Sequence, residues 1–135
     1  MTITTASEAE TGAVGRDVAR TLRAGDVVLL HGDLGAGKTA FVRGLAEGLG
    51  VQPEEVSSPT FTLIQEYRGG RLPLLHVDLY LLAYAREIDD LGLDELGREA
   101  VTAIEWAEKL PRVPDSAIHV SIEHLDGNTR TIEVR

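Results

Sequence analysis

Asp26-Val-Val-Leu-Leu-His31-Gly-Asp-Leu-Gly35-Ala-Gly37-Lys38-Thr39 is the stretch on which the reading of this 135-residue chain turns. Its first part is an apolar run without alternation, the pattern of a central parallel strand covered on both faces. The second part, Gly32 to Thr39, matches the Gly-x4-Gly-Lys-[Ser/Thr] P-loop. Glycines let successive backbone amides turn inward as a nest, and a helix starting there aims its N-terminal dipole at the same anion. The pattern gives Lys38 the role of a point charge for β- and γ-phosphates, and the Thr39 hydroxyl that of a Mg2+ ligand. Lys38 is one of only two lysines, the other being Lys109. Nucleotide binding is the expectation; a structural glycine-rich turn is the bland alternative.

Reading outward, residues 38–49 carry Phe41, Leu45 and Leu49 on one helical stripe, with Gly50 as the stop. Gly44 and Gly48 weaken that helix by about 1 kcal/mol each relative to alanine; close packing against the sheet is the expected compensation. Upstream, Ser7-Glu-Ala-Glu10 reads as a capping box. Val14, Val18 and Leu22 then predict a helix over residues 8–24, ended by Gly25. Downstream the period changes to two. Phe61, Leu63 and Tyr67 alternate with Thr62, Ile64 and Glu66, Arg68-Gly-Gly-Arg71 turns the chain, and residues 72–78 return as a hairpin. Residues 84–97 carry weak helical signals broken by Gly92, and residues 100–105 read as another buried strand. Residues 118–122 and 131–134 flank Asp126-Gly127, a second hairpin signal. The sum is one domain over residues 1–135, an α/β three-layer fold with a mixed central sheet.

A P-loop enzyme needs an acid at the end of a neighbouring strand to hold Mg2+ or order water. Leu74-Leu-His-Val-Asp78 and Val101-Thr-Ala-Ile-Glu105 both end an apolar run in a carboxylate, and spacing does not choose between Asp78 and Glu105. Solvated strand ends are the plain alternative for each. Ser57-Ser58-Pro59-Thr60 sits in a loop whose hydroxyls could sense a γ-phosphate; on the residues alone, a hydrogen-bonded turn leading into a strand is the favoured reading. Trp106, the only tryptophan, is by default a core or interface anchor. His31, His76, His119 and His124 lack zinc-ligand spacing and read as structural.

Composition excludes several classes. With no cysteine there is no disulfide scaffold, thiolate zinc site or cysteine nucleophile. The formal charge of −9, without any Lys/Arg cluster, disfavours direct binding to a polyanion. No apolar run is long enough to span a membrane and the N-terminus lacks signal-peptide features, so a cytoplasmic protein with no membrane association is expected.

Four stretches together resemble the bacterial TsaE family, small P-loop ATPases of tRNA threonylcarbamoyladenosine (t6A) synthesis. They are His31-Gly-Asp-Leu-Gly-Ala-Gly-Lys-Thr39, Ser58-Pro-Thr-Phe-Thr-Leu63, His76-Val-Asp-Leu-Tyr80 and Glu105-Trp106. The resemblance implies a P-loop NTPase-like fold with a mainly parallel sheet. It also implies an ATP- and Mg2+-dependent ATPase acting with the TsaB and TsaD proteins, weak alone and stimulated by them. TsaD then modifies adenosine 37 of ANN-decoding tRNAs, and tRNA is met only through the complex. Residue by residue, it places Asp33, Leu34, Gly35, Ala36, Gly37, Lys38, Thr39 and Ala40 around the phosphates. Thr39 and Glu105 serve Mg2+, with Asp78 as the second acid, ordering metal-bound or attacking water. Ser58, Pro59 and Thr60 take the switch role, Trp106 becomes a site-side residue, and Thr11 lies against the base. Two departures stand: Leu81 occupies the place of a usual arginine, and the chain ends at Arg135, slightly short for the family, which implies a trimmed C-terminal element.

The main rival is a small-molecule P-loop kinase. It needs an acceptor pocket and an arginine-bearing lid, whereas Arg43, Arg68, Arg71, Arg86 and Arg98 are spread singly. A nucleotide-dependent binding switch with negligible turnover is the third class.

Overall fold

The structure, a computed structural model, describes residues 1–33, 37–52 and 64–135. In chain order its elements are β1 (Thr2–Thr5), α1 (Glu8–Ala19), β2 (Val27–His31), α2 (Lys38–Leu49), β3 (Ile64–Tyr67) and β4 (Leu74–Asp78). There follow α3 (Ala85–Asp89), α4 (Leu93–Leu96), β5 (Val101–Glu105), a 3-10 turn (Ala107–Lys109), β6 (Ile118–Asp126) and β7 (Thr129–Val134). All seven strands form one sheet in the order β1-β7-β6-β2-β5-β4-β3. The four central strands β6, β2, β5 and β4 run parallel. Antiparallel β3 closes one edge, and β7 with β1 the other. The mixed, mainly parallel α/β sheet with flanking hairpins is thus the architecture the chain adopts.

β2 is central because nothing in Val28-Leu-Leu30 tolerates water on either face. Val28, Leu29 and Leu30 are all fully buried, each contributing roughly 1.5–3 kcal/mol by transfer from water. Val28 and Leu30 pack under α1 and α2 with Phe41, Leu45 and Ala103. Leu29 faces the opposite layer with Val77, Ile104 and Ile88 of α3.

Three local readings differ from the structure, and a fourth falls partly outside the described residues. Residues 2–5 form an edge strand, held only by pairing with β7, for which four residues carry no usable period. The first helix ends at Ala19 instead of residue 24. Thr21 and Leu22 donate back three residues, to Val18 and Ala19, and the Arg71 guanidinium takes the carbonyls of Ala19 and Leu22 at 2.6 and 3.1 Å. Gly25 is left-handed, φ 91°, but it serves the turn after the helix. Gly44 and Gly48 meet α1, not the sheet: a Cβ on Gly48 would lie 2.6 Å from the Ala19 Cβ, and one on Gly44 would run into the Gly12 backbone. Finally, Phe61 and Leu63 of the expected hairpin lie outside the described residues; its remainder, Ile64 to Tyr67 against β4, pairs as expected.

The capping box forms with one shift. Ser7 Oγ accepts the Glu10 amide at 3.1 Å, while the Glu10 carboxylate reaches the amide of Ala6, at 3.0 Å.

Candidate functional site

The carboxyl ends of β2, β5 and β4 lie side by side, so the residues that end them converge. Leu30 is the ladder partner of Glu105, and Glu105 is that of Asp78. Gly37, φ 109°, supplies the left-handed step before α2, which places Lys38 in the first turn of that helix beside β5. The Lys38 side chain is 6% exposed. Its Nζ donates to the Gly32 carbonyl across the loop at 2.9 Å and sits 3.8 Å from Glu105 Oε1.

Strand order ranks the two acids by their distance from the loop. β5 is the direct neighbour of β2, so Glu105 is the acid next to the loop lysine, and Asp78 stands one strand further out. Both are buried, at 5% and 2% exposure. Asp78 Oδ1 accepts the Tyr80 amide at 2.8 Å, which fixes the carboxylate where the strand ends. Neither is a solvated strand end.

Trp106 follows Glu105 directly and is half-buried. Among the described residues it alone combines a side chain with positive φ, at 60°. A bulky residue rarely holds this conformation without surrounding support. Here Lys38 Nζ lies 5.3 Å from its ring centre, and the Tyr80 ring packs 5.0 Å away, tilted by 46°. Lys109 ties the same corner, donating to the carbonyls of Tyr80 and Leu82 at 2.7 and 3.0 Å.

Of the other expected contacts, Asp33 is exposed and Thr39 and Ala40 are half-buried at the loop. Thr11 is buried in α1, its hydroxyl 2.8 Å from that of Thr5. Its methyl carbon would lie 3.8 Å from a Cβ on Gly37, so Thr11 does border the loop. Leu34, Gly35 and Ala36 of the loop, and Ser58, Pro59 and Thr60 of the switch-like segment, lie outside the described residues.

Two residues at the site escaped the sequence reading. His76, read there as structural, is fully buried and its Nε2 lies 2.6 Å from Glu105 Oε2. A polar ring inside an apolar strand, two residues before Asp78 and hence on the same face, was the available signal. Arg130 of β7 brings its Nε within 3.5 Å of where a Gly37 Cβ would stand; only the folded hairpin makes that approach, and no local pattern announces it. His31 and His119 stack at 5.4 Å with ring nitrogens 3.1 Å apart. Burial first, then the His119 charge, holds the His31 pKa below its ordinary value.

Fold and site define an α/β domain that carries a P-loop sequence, with one buried lysine beside two buried strand-end acids. Within that class the chain belongs to the TsaE family: the family model for "Threonylcarbamoyl adenosine biosynthesis protein TsaE" matches residues 5–132. Among its relatives, the tRNA threonylcarbamoyladenosine biosynthesis protein TsaE of Treponema pallidum is 44% identical over 130 residues, covering 95% of each chain. That of Bacillus subtilis is 42% identical over 130 residues, 95% of this chain and 80% of the relative. The crystal structure of the Bacillus subtilis protein YdiB superimposes with a TM-score of 0.76 at 36% identity, covering 98% of this chain and 82% of that one. Among the described residues no helix is long and apolar enough to cross a membrane.

Proposed function

We propose that this chain is the ATP-binding and ATP-hydrolysing subunit for threonylcarbamoyl modification of adenosine 37, acting in the cytoplasm with TsaB and TsaD. The observation that carries this reading is the convergence of Lys38, Glu105 and Asp78 at one sheet edge, each under a tenth exposed. Lys38 exchanges a neutral carbonyl acceptor, Gly32, for phosphate oxygens, a stronger charge-assisted contact. Thr39 and Glu105 would hold Mg2+, whose charge neutralises the phosphates. Among the described residues no three His, Cys, Asp or Glu gather into a self-contained metal site. The buried carboxylate of Glu105, with that of Asp78 beside it on the next strand, suits Mg2+, which is bound by one or two carboxylates and completed by substrate phosphates. Asp78, clamped by the Tyr80 amide, orders the attacking water. The net charge of −9 agrees with a subunit that meets tRNA only through its partners.

ATP hydrolysis measured alone and with TsaB and TsaD from the same source tests the proposal. The pair should stimulate turnover at least about tenfold, and Thr39→Ala and Glu105→Ala should each lose the stimulated rate. Equal, negligible turnover with ATP still bound would point instead to a binding switch or a kinase.

Arg130 adds a cation from the far side of the loop. Its Nη1 donates to the carbonyls of Gly127 and Thr129, which holds the guanidinium over Gly37. Arg130→Ala is expected to weaken nucleotide affinity about tenfold, the value of one charge-assisted hydrogen bond. Fluorescent-nucleotide titration measures this; an unchanged affinity would remove Arg130 from the site.

A further inference from the structure

His76 is 0% exposed and stands in the middle of β4, its ladder partner on β5 being Ala103. It therefore leans diagonally along the shared face toward Glu105, two residues further on. The 2.6 Å contact joins Nε2 to Glu105 Oε2, while Oε1 of the same carboxylate faces Lys38 at 3.8 Å. One oxygen is thus held from below and the other is presented to the loop.

The remaining ring nitrogen, Nδ1, has no hydrogen-bond partner among the described residues. An ionised carboxylate only accepts, so Nε2 donates. A buried histidine with one nitrogen committed to a carboxylate and the other to nothing is poorly explained as packing alone. If His76 only filled space, a leucine would do so without a ring nitrogen to satisfy, but it would leave Glu105 Oε2 without its 2.6 Å partner.

We infer that His76 is a positioning residue: its Nε2–H fixes the Glu105 carboxylate so that Oε1 is directed at the nucleotide-bound Mg2+. This rests on the reading of Glu105 as a Mg2+ ligand. Carboxylates that bind metals are commonly oriented by such outer partners, whose removal typically costs about 10–100-fold in metal affinity or activity. His76 touches no reacting atom and acts only through Glu105.

Two measurements on the full chain decide it. Histidine-selective 15N NMR of the wild type at neutral pH reads which ring nitrogen carries the proton, with no nucleotide or partner present. The expected result is a proton on His76 Nε2, with that resonance displaced in Glu105→Gln; an Nε2 without a proton overturns the inference. Fluorescent-ATP binding is then titrated against Mg2+. In His76→Leu the Mg2+ concentration for half-maximal enhancement should rise about tenfold or more, while Mg2+-free affinity stays within about threefold. His76→Gln, whose amide can donate from nearly the same place, should recover most of the loss. A purely packing role predicts the opposite order, with leucine tolerated and glutamine not. If Glu105→Ala abolishes the Mg2+ enhancement and His76→Leu leaves it intact, the His76 role alone is wrong. If Glu105→Ala also leaves it intact, the reading of Glu105 is wrong and the inference falls with it.

Discussion

Gly44→Ala is expected to destabilise the protein by about 3 kcal/mol, although it places the best helix former inside a helix. The gain in helix propensity is about 1 kcal/mol. Against it stands the contact between α1 and α2: a Cβ on Gly44 would penetrate the Gly12 carbonyl and come within 2.8 Å of the Gly12 Cα. These are backbone atoms, which cannot rotate aside, so the two helices must separate along their length. Overpacking typically costs about 1–3 kcal/mol and occasionally more. Here the cost lies at the upper end or above, because Gly15 meets the backbone of Phe41 and Leu45 in the same seam. For a chain of this size the loss lowers Tm by roughly 10 °C. Gly12→Ala is the control. Among the described residues its Cβ would meet only the Ala40 carbonyl, at 3.5 Å, so thermal unfolding should show no loss there. Equal Tm values for Gly44→Ala and wild type would mean that the seam is loose and that glycine there has another cause.

The seam matters for function because α2 begins at Lys38. Pushing α2 away from α1 moves the lysine relative to Glu105, so a Gly44→Ala protein kept folded by cooling should also bind nucleotide more weakly.

What could be read before folding follows from how local each cause is. Strand β2 and helix α2 were legible because they lie close in sequence and each carries its own pattern. The hairpin at Asp126-Gly127 was legible for the same reason. The end of α1 was not, since Arg71 decides it from a distant turn. The purpose of Gly44 and Gly48 was misread because a glycine shows that something approaches closely without showing what. Asp78 and Glu105 were recognised as a pair of acids, but their ranking needed strand order, which no spacing encodes. His76 was passed over because its meaning depends on β4 lying next to β5. Residue types could be read from the sequence; which of them meet could not.

Lys38→Met carries the second large effect, a loss of nucleotide affinity of at least about 100-fold. Methionine keeps the apolar stem and fills the same space, so the change isolates the charge. In the wild type the ammonium donates to Gly32 and faces Glu105; phosphate binding adds charge-assisted bonds of about 1.5–3 kcal/mol each, and one lysine can make several. The unliganded protein should lose a few degrees of Tm at most. Glu105 loses a cation 3.8 Å away but keeps its 2.6 Å bond from His76, so its buried carboxylate is not abandoned. The difference appears on adding nucleotide. A ligand at 100 times its Kd stabilises the folded state by about 2.7 kcal/mol, which for this chain raises Tm by roughly 10 °C. Wild type should show that rise with ATP and Mg2+, and Lys38→Met should show almost none at the same concentrations. A full rise in Lys38→Met would place the phosphates elsewhere and leave Lys38 as a structural bridge between the loop and β5. A rise absent from both proteins would count against nucleotide binding itself.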